Sequence, residues 1–249
     1  MTTATKSKSA DEVSAQKLNE KFSDRGKQIS NLQSYYRLHA MVYDATRWAF
    51  LFGRKEVLRR LPPAAELLAA TRGPDANAKP GDQAKAGPLR ILEVGCGTGV
   101  NLAYLARKYP EAELVGVDLS GDMLGKARAK LKTFGDRVTL LEEPYQAGGN
   151  AGTNFDLVLF SYSLSMINPQ WAEVLDQAKI DLRPGGMVAA VDFSDSKYLS
   201  FRHHMSRNHV MVTGHLLPGL RERFAPVLDV ERGVYLGWWK YLIFHGRRA

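Results

Sequence analysis

Between residues 89 and 193 the sequence alternates short apolar runs with helix-length segments, and that rhythm constrains the fold more than any other feature. Residues 89–94 read as a buried strand, followed by a glycine loop and a helix over about 100–108. Residues 113–118 read as a second strand with a helix over 120–133, and 138–141 and 155–160 as strands three and four. A helix over 171–180 precedes a fifth strand over 186–193, entered through the Arg183-Pro184-Gly185-Gly186 turn. Such alternation predicts a mostly parallel sheet with helices on both faces. After Ser194 the alternation stops. Residues 197–224 read as helical or irregular, and 227–230 and 239–245 as two closing strands, which makes seven.

The rest of the chain divides by composition. Residues 1–30 are polar and rich in Lys, Ser, Asp and Gln, the signature of a flexible arm. Residues 31–70 read as a helical lid or membrane-surface element, with Leu38, Met41, Val42, Ala45, Trp48, Ala49 and Phe52 at helical spacing. A helix from Arg54 is stopped by Pro62-Pro63, and residues 64–70 add a short continuation. Residues 71–88, with three prolines and three glycines, read as a linker before a core over 89–249. One cysteine forms no internal disulfide and points to a reducing, cytoplasmic setting. The first ten residues lack the apolar core of a signal peptide, and no apolar run approaches the ~18 residues of a membrane span.

The net charge of +8 is unevenly spread. Residues 1–90 carry sixteen Lys/Arg against nine Asp/Glu, residues 91–195 nine against fourteen, and residues 196–249 nine against three. An acidic centre thus lies between two basic ends, the second including a basic insertion over about 196–224. Basic ends meet polyanions, anionic membranes or acidic substrates, and charge alone does not choose.

The chemistry concentrates at Glu93-Val94-Gly95-Cys96-Gly97-Thr98-Gly99. Alternate glycines between a strand and a helix let a ligand approach the backbone, and free N–H groups at the helix start favour carboxylate or phosphate. Asp118 ends the second strand nineteen residues after Gly99, where a carboxylate accepts both hydroxyls of a ribose. The spacing GxGxG differs from the GxGxxG dinucleotide fingerprint, but loop and acid together make an adenosine-type ligand the expectation.

With ExGxGxG, Asp118, the Arg-Pro-Gly-Gly turn and the closing antiparallel strands, residues 89–249 resemble the class I S-adenosylmethionine-dependent methyltransferases. The resemblance implies a Rossmann-like seven-stranded sheet with an antiparallel last strand and S-adenosylmethionine as cofactor. It places Glu93, Gly95, Cys96, Gly97, Thr98, Gly99 and Asn101 around the methionine part, and Asp118 on the ribose. Leu119 and Met123 then lie beside the adenine, Glu142 or Glu143 near its amine, and Ser161 after strand four completes the set. The family usually has Asp followed by a small residue where Glu142-Glu143-Pro144 stands.

Two further segments resemble bacterial betaine-lipid N-methyltransferases, which trimethylate the amine of diacylglyceryl homoserine. One runs through Tyr35-Tyr36-Arg37-Leu38-His39 and Tyr43-Asp44-Ala45-Thr46-Arg47-Trp48 to Phe52-Gly53-Arg54. The other comprises Ser161–Ile167 and Gly237-Trp238-Trp239-Lys240. This resemblance implies successive N-methylation of an aminolipid by a protein held peripherally on the inner face of the cytoplasmic membrane. It implies Tyr36, His39 and Tyr162 as catalytic candidates, Tyr35, Tyr36, Ser163 and His209 at the substrate, and Tyr43 and Arg47 as contacts to the cofactor. An amphipathic helix with Arg37, Arg47, Arg54, Lys55, Arg59 and Arg60 on its polar side suits an anionic bilayer. The competing reading packs Leu38, Val42, Ala45 and Phe52 on the sheet. Alternatives are a phosphatidylethanolamine or ornithine-lipid enzyme, a soluble small-amine or quinone-type methyltransferase, transfer of an aminopropyl-type group, and a cofactor-binding regulator without turnover.

Nucleic acid is not the expected partner: the segment after strand four lacks Asn/Asp-Pro-Pro-aromatic, and no RNP-like aromatic strand is present. His203, His204, His209 and His215 show no i,i+4 pair and no acid among them, so no metal site is expected. Cys96 reads as a small filler of the glycine loop.

Overall fold

The computed structural model describes residues 51–72 and 87–249. Its seven strands are β1 (Arg90–Val94), β2 (Glu113–Asp118), β3 (Val138–Glu142), β4 (Phe155–Ser161), β5 (Leu182–Phe193), β6 (Ala225–Val234) and β7 (Trp239–Arg247). They form one sheet in the order β3-β2-β1-β4-β5-β7-β6. Pairings among β1 to β5 are parallel, whereas β7 is antiparallel to both β5 and β6. This is the Rossmann-like arrangement expected from the alternation. The chain winds outward from β1 to β3, then returns to place β4 on the other side of β1. Loops leaving β1 and β4 therefore diverge, which opens a crevice at the carboxyl ends of these strands.

Helices α1 (Arg54–Arg59), α2 (Ala64–Arg72), α3 (Val100–Lys108), α4 (Gly121–Leu131), α5 (Trp171–Asp181), α6 (Leu199–Arg207) and α7 (Leu216–Arg223) cover the sheet. Alternation along the strands divides the core. Ile91, Leu157 and Ala189 face Val57, Leu67, Leu102 and Leu124 on one side, while Leu92, Val158 and Ala190 face Val174, Leu175 and Leu220 on the other. Residues 197–224, left open between helix and irregular structure, resolve into α6 and α7. The Arg-Pro-Gly-Gly turn falls inside β5 as a bulge, because the register jumps from Phe155↔Leu182 to Leu157↔Met187.

A six-residue helix such as α1 is unstable alone, so its place is set by packing. Val57 and Leu58 are buried within it and Leu61 just beyond it, each side chain contributing ~1.5–3 kcal/mol. The Lys108 ammonium donates to the carbonyls of Leu58 and Leu61 at 3.0 and 2.8 Å, closing the carboxyl end. Phe52 stacks on Tyr241 and meets Trp239 at 5.6 Å. Within the described residues the apolar side of this element, Phe52 included, is thus docked on the sheet.

Candidate active site

The glycine loop after β1 is tied to β2 by its backbone. The N–H groups of Gly95 and Cys96 donate to the Val117 carbonyl at 2.8 and 3.1 Å, holding the loop flat across the strand ends. All three loop glycines have positive φ, but their surroundings differ. A Cβ on Gly95 would lie 2.6 Å from the Ser163 Cβ, and one on Gly99 would lie 2.8 Å from Leu131. A Cβ on Gly97 would meet nothing within 4 Å, because this residue borders open space.

That space is a cavity of about 470 Å³ at the ends of β1, β2 and β4. Of the residues expected at a cofactor, Glu93, Gly95, Cys96, Gly97, Asn101, Asp118, Leu119, Met123, Glu143 and Ser161 line it, as do Tyr162 and Ser163. Asp118 ends β2 with both oxygens anchored. Oδ2 accepts from the Gly97 N–H at 2.7 Å and Oδ1 from the Ser120 N–H at 2.9 Å. Each oxygen retains capacity for a further hydrogen bond toward the cavity. Burial pushes the Asp118 carboxyl above the usual aspartate range, against the backbone N–H groups of Ser120, Gly97 and Leu119 that favour its charge.

Glu93 is only 1% exposed, and its Oε1 accepts from Asn101 Nδ2 at 2.7 Å. Burial, then the charges of Glu93 and Asp118, push the Cys96 thiol well up, so it stays protonated and serves as packing. The hydroxyls of Ser161 and Ser163 and Oδ1 of Asn168 are buried without a protein hydrogen-bond partner. Buried polar atoms rarely stay unsatisfied, and here three of them line one cavity.

Several expectations change. Thr98 and Gly99 do not line the cavity: Thr98 is buried, and Gly99 lets α3 approach α4 at Leu131 and Ala127. Glu142 is exposed and its carboxylate lies over Gly121, outside the cavity, whereas Glu143 lines it. The Glu143 carboxylate accepts from the backbone and side-chain N–H groups of Asn150, which folds the loop after β3. His209 is exposed at positive φ beyond α6 and does not reach the cavity, because the chain turns there before running back toward α7. The Tyr162 hydroxyl donates to the Phe52 carbonyl at 2.7 Å, an anchor for the segment before α1. Arg54, expected on a membrane-facing side, instead donates to Asn101 Oδ1 at 2.8 Å. Tyr35, Tyr36, His39, Tyr43 and Arg47 lie outside the described residues.

Sequence reasoning missed the far wall. Met166, Ile167, Asn168, Gln170, Glu173, Val174 and Gln177 line the cavity, as do Pro144, Tyr145, Gln146 and Ala147. A signal was present: positions 170, 173, 174 and 177 share one helical face that carries Gln, Glu and Gln. Among the described residues no group of three or more His, Cys, Asp or Glu is placed to hold a metal ion, and no helix is long and apolar enough to cross a membrane.

A family model described as a methyltransferase domain matches residues 91–186. The ubiquinone/menaquinone biosynthesis C-methyltransferase UbiE of Syntrophotalea carbinolica is 31% identical over 162 residues, covering 62% of this chain and 68% of that protein. The trans-aconitate 2-methyltransferase of Methylobacterium nodulans is 34% identical over 130 residues, which is 52% of this chain but only 43% of that enzyme. Among solved structures, the N-methyltransferase NodS of Bradyrhizobium japonicum WM9, in complex with S-adenosyl-L-homocysteine, superposes with a TM-score of 0.52 at 18% identity. That match covers 74% of this chain and 84% of NodS, and it shows the shared fold.

Proposed function

The chain belongs to the class I S-adenosylmethionine-dependent methyltransferases, and on that premise we propose that it methylates a small neutral or cationic acceptor, an amine foremost. Its cofactor is S-adenosylmethionine, and the cavity suits that ligand. Open space at Gly97 leaves room against the backbone, Asp118 presents two oxygens to a ribose, and Glu93 offers a buried negative charge to an ammonium. When bound, S-adenosylmethionine supplies a methyl group activated by a sulfonium.

The observation that carries the acceptor class is the charge of the lining. Four acids border the cavity; with Glu93 and Asp118 turned to the cofactor, Glu143 and Glu173 remain toward an acceptor, and among the described lining residues there is no Lys, Arg or His. A carboxylate acceptor would meet like charge with no cation among the described lining residues, whereas an amine meets hydrogen-bond acceptors in Asn168 Oδ1 and the Glu173 carboxylate. Asp118 marks the ribose end over β2, so an acceptor approaches from the β4 side, where Ser163, Asn168 and Gln170 stand. Positioning of the two reactants in line supplies much of the rate in such displacements. An ammonium must lose its proton first, and hydrogen-bond acceptors on this wall orient the neutral amine by its N–H groups.

The test uses the full chain with labelled S-adenosylmethionine and a panel of amines, phenols, quinols and carboxylates, reading product masses. Amine products heavier by methyl steps of ~14 daltons, with no carboxylate product, are expected. Ester formation on a carboxylate would refute the acceptor class.

A lipid amine is a second reading, favoured by one observation. Tyr198, Leu199, Leu236 and Trp238 are exposed, and Phe201 packs toward Trp238 beside them, next to the exposed Lys197. Aromatic and aliphatic groups with a basic fringe suit an anionic bilayer interface. An aminolipid in anionic vesicles should then outperform a soluble amine; turnover of the soluble amine alone sinks this reading.

A further inference from the structure

We propose that Arg54 is a positioning residue for the methionine end of the cofactor site, acting through Asn101 on Glu93. The inference rests on the cofactor assignment and not on the acceptor. Three side chains from three elements form a continuous line. The Arg54 guanidinium, at the start of α1, donates to Asn101 Oδ1 at 2.8 Å, and Asn101 Nδ2, in the first turn of α3, donates to Glu93 Oε1 at 2.7 Å.

The chemistry of the end groups fixes the middle one. A guanidinium only donates and a carboxylate only accepts, so the Asn101 amide has one orientation that satisfies both. Were Arg54 absent, the Glu93 carboxylate would still draw the Asn101 nitrogen, but the Asn101 oxygen would lose its donor and the side chain its second anchor. Arg54 therefore holds the Glu93 carboxylate in place at the cavity wall without itself lining the cavity. It also brings a positive charge near a carboxylate that is 1% exposed, and buried charge without compensation is costly.

The anchor is built to stay put. Phe52, two residues earlier, takes the Tyr162 hydroxyl on its carbonyl at 2.7 Å. Glu56, two residues later, is paired with Arg232 at 2.6 Å, and Lys108 closes the helix at Leu58 and Leu61. Asp118, at the end of β2 and assigned to the ribose, hydrogen-bonds to the Gly97 and Ser120 N–H groups and to no member of this line. Arg54 thus tunes one end of the ligand and not the other.

Two ligands separate the ends: S-adenosylhomocysteine, which carries the amino-acid portion, and methylthioadenosine, which lacks it. Calorimetric titration of Arg54→Met should weaken S-adenosylhomocysteine by about tenfold while methylthioadenosine changes less than about twofold. Arg54→Lys, which keeps a donor and the charge, should recover most of the loss, and Asn101→Leu should reproduce the Arg54→Met pattern. Equal losses for the two ligands would show that Arg54 merely supports the fold, and unchanged S-adenosylhomocysteine affinity would show that the line carries nothing. Titration stoichiometry reports the folded fraction, so a less stable variant still gives an answer. Loss of all S-adenosylhomocysteine binding by the unsubstituted protein would instead remove the cofactor assignment beneath the proposal.

Discussion

The two ends of the same sheet treat an aspartate in opposite ways. At the amino end of β4, Asp156 is fully buried and saturated. It accepts from the Thr71 hydroxyl at 2.6 Å and the Arg90 N–H at 2.8 Å, with the guanidinium groups of Arg72 and Arg183 at 3.5 and 3.6 Å. At the carboxyl end of β2, Asp118 takes backbone N–H groups, hydrogen-bonds no cation among the described residues, and faces the cavity. The first arrangement clamps α2 and the strand ends together. The second keeps hydrogen-bonding capacity toward the cavity, at the cost of partly burying charge that no described residue pairs with. Two aspartates, set at opposite ends of the strands, are thus engaged in internal contacts in one case and left open to the cavity in the other.

The same substitution at both positions breaks the comparison most directly. Asp156→Asn leaves Arg72 and Arg183 without their counter-charge and should destabilise the protein by about 3 kcal/mol in urea denaturation. Cofactor affinity of the folded fraction should stay within about twofold. A loss under about 1 kcal/mol would mean that the network is solvated and not a clamp.

Asp118→Asn should do the reverse, weakening S-adenosylhomocysteine by about tenfold or more in calorimetry. Its stability should be unchanged or slightly raised at neutral pH. Because the folded protein raises the Asp118 carboxyl above its unfolded value, the native state holds the proton more tightly, and ionisation at neutral pH disfavours folding. Ligand affinity should correspondingly be full at neutral pH and fall as pH drops through the raised value, and Asp118→Asn should abolish that dependence. A pH-independent affinity in the unsubstituted protein would detach Asp118 from the ligand.

The smallest effect sharpens the boundary between the two roles. Tyr162 lies at the binding edge but spends its hydroxyl on the Phe52 carbonyl. Tyr162→Phe should cost about 1 kcal/mol, seen as a lowered Tm, with turnover reduced less than about tenfold. A hundredfold fall in kcat at unchanged Tm would return Tyr162 to the chemistry.

Much of the cavity wall over β1 and β2 was legible because its geometry is local. Gly95, Gly97 and Asp118 sit where a strand ends, and the positive φ that glycine permits is a property of one residue. The boundaries of β2 and α3 matched for the same reason: hydrophobic period and turn chemistry act over a few residues. Glu142 and Glu143 show where this stops. Adjacent in sequence at the end of β3, they diverge because the loop folding back through Asn150 carries Glu143 to the cavity and leaves Glu142 over Gly121. His209 failed similarly, since its position depends on how the chain turns between α6 and α7.

By itself, then, the sequence determined the alternating parallel sheet, the glycine loop and the acid beyond it, each through interactions spanning a turn or a strand. Tertiary structure decided which side chains share the cavity. Asn168 and Glu173 reach it because β4 returns beside β1, more than sixty residues away in sequence. Arg54 reaches Asn101, forty-seven residues on, because Val57, Leu58 and Leu61 bury themselves against the sheet and bring the guanidinium with them. The hydrophobic effect has no direction of its own, so what it places beside the site is fixed only once the whole core has closed.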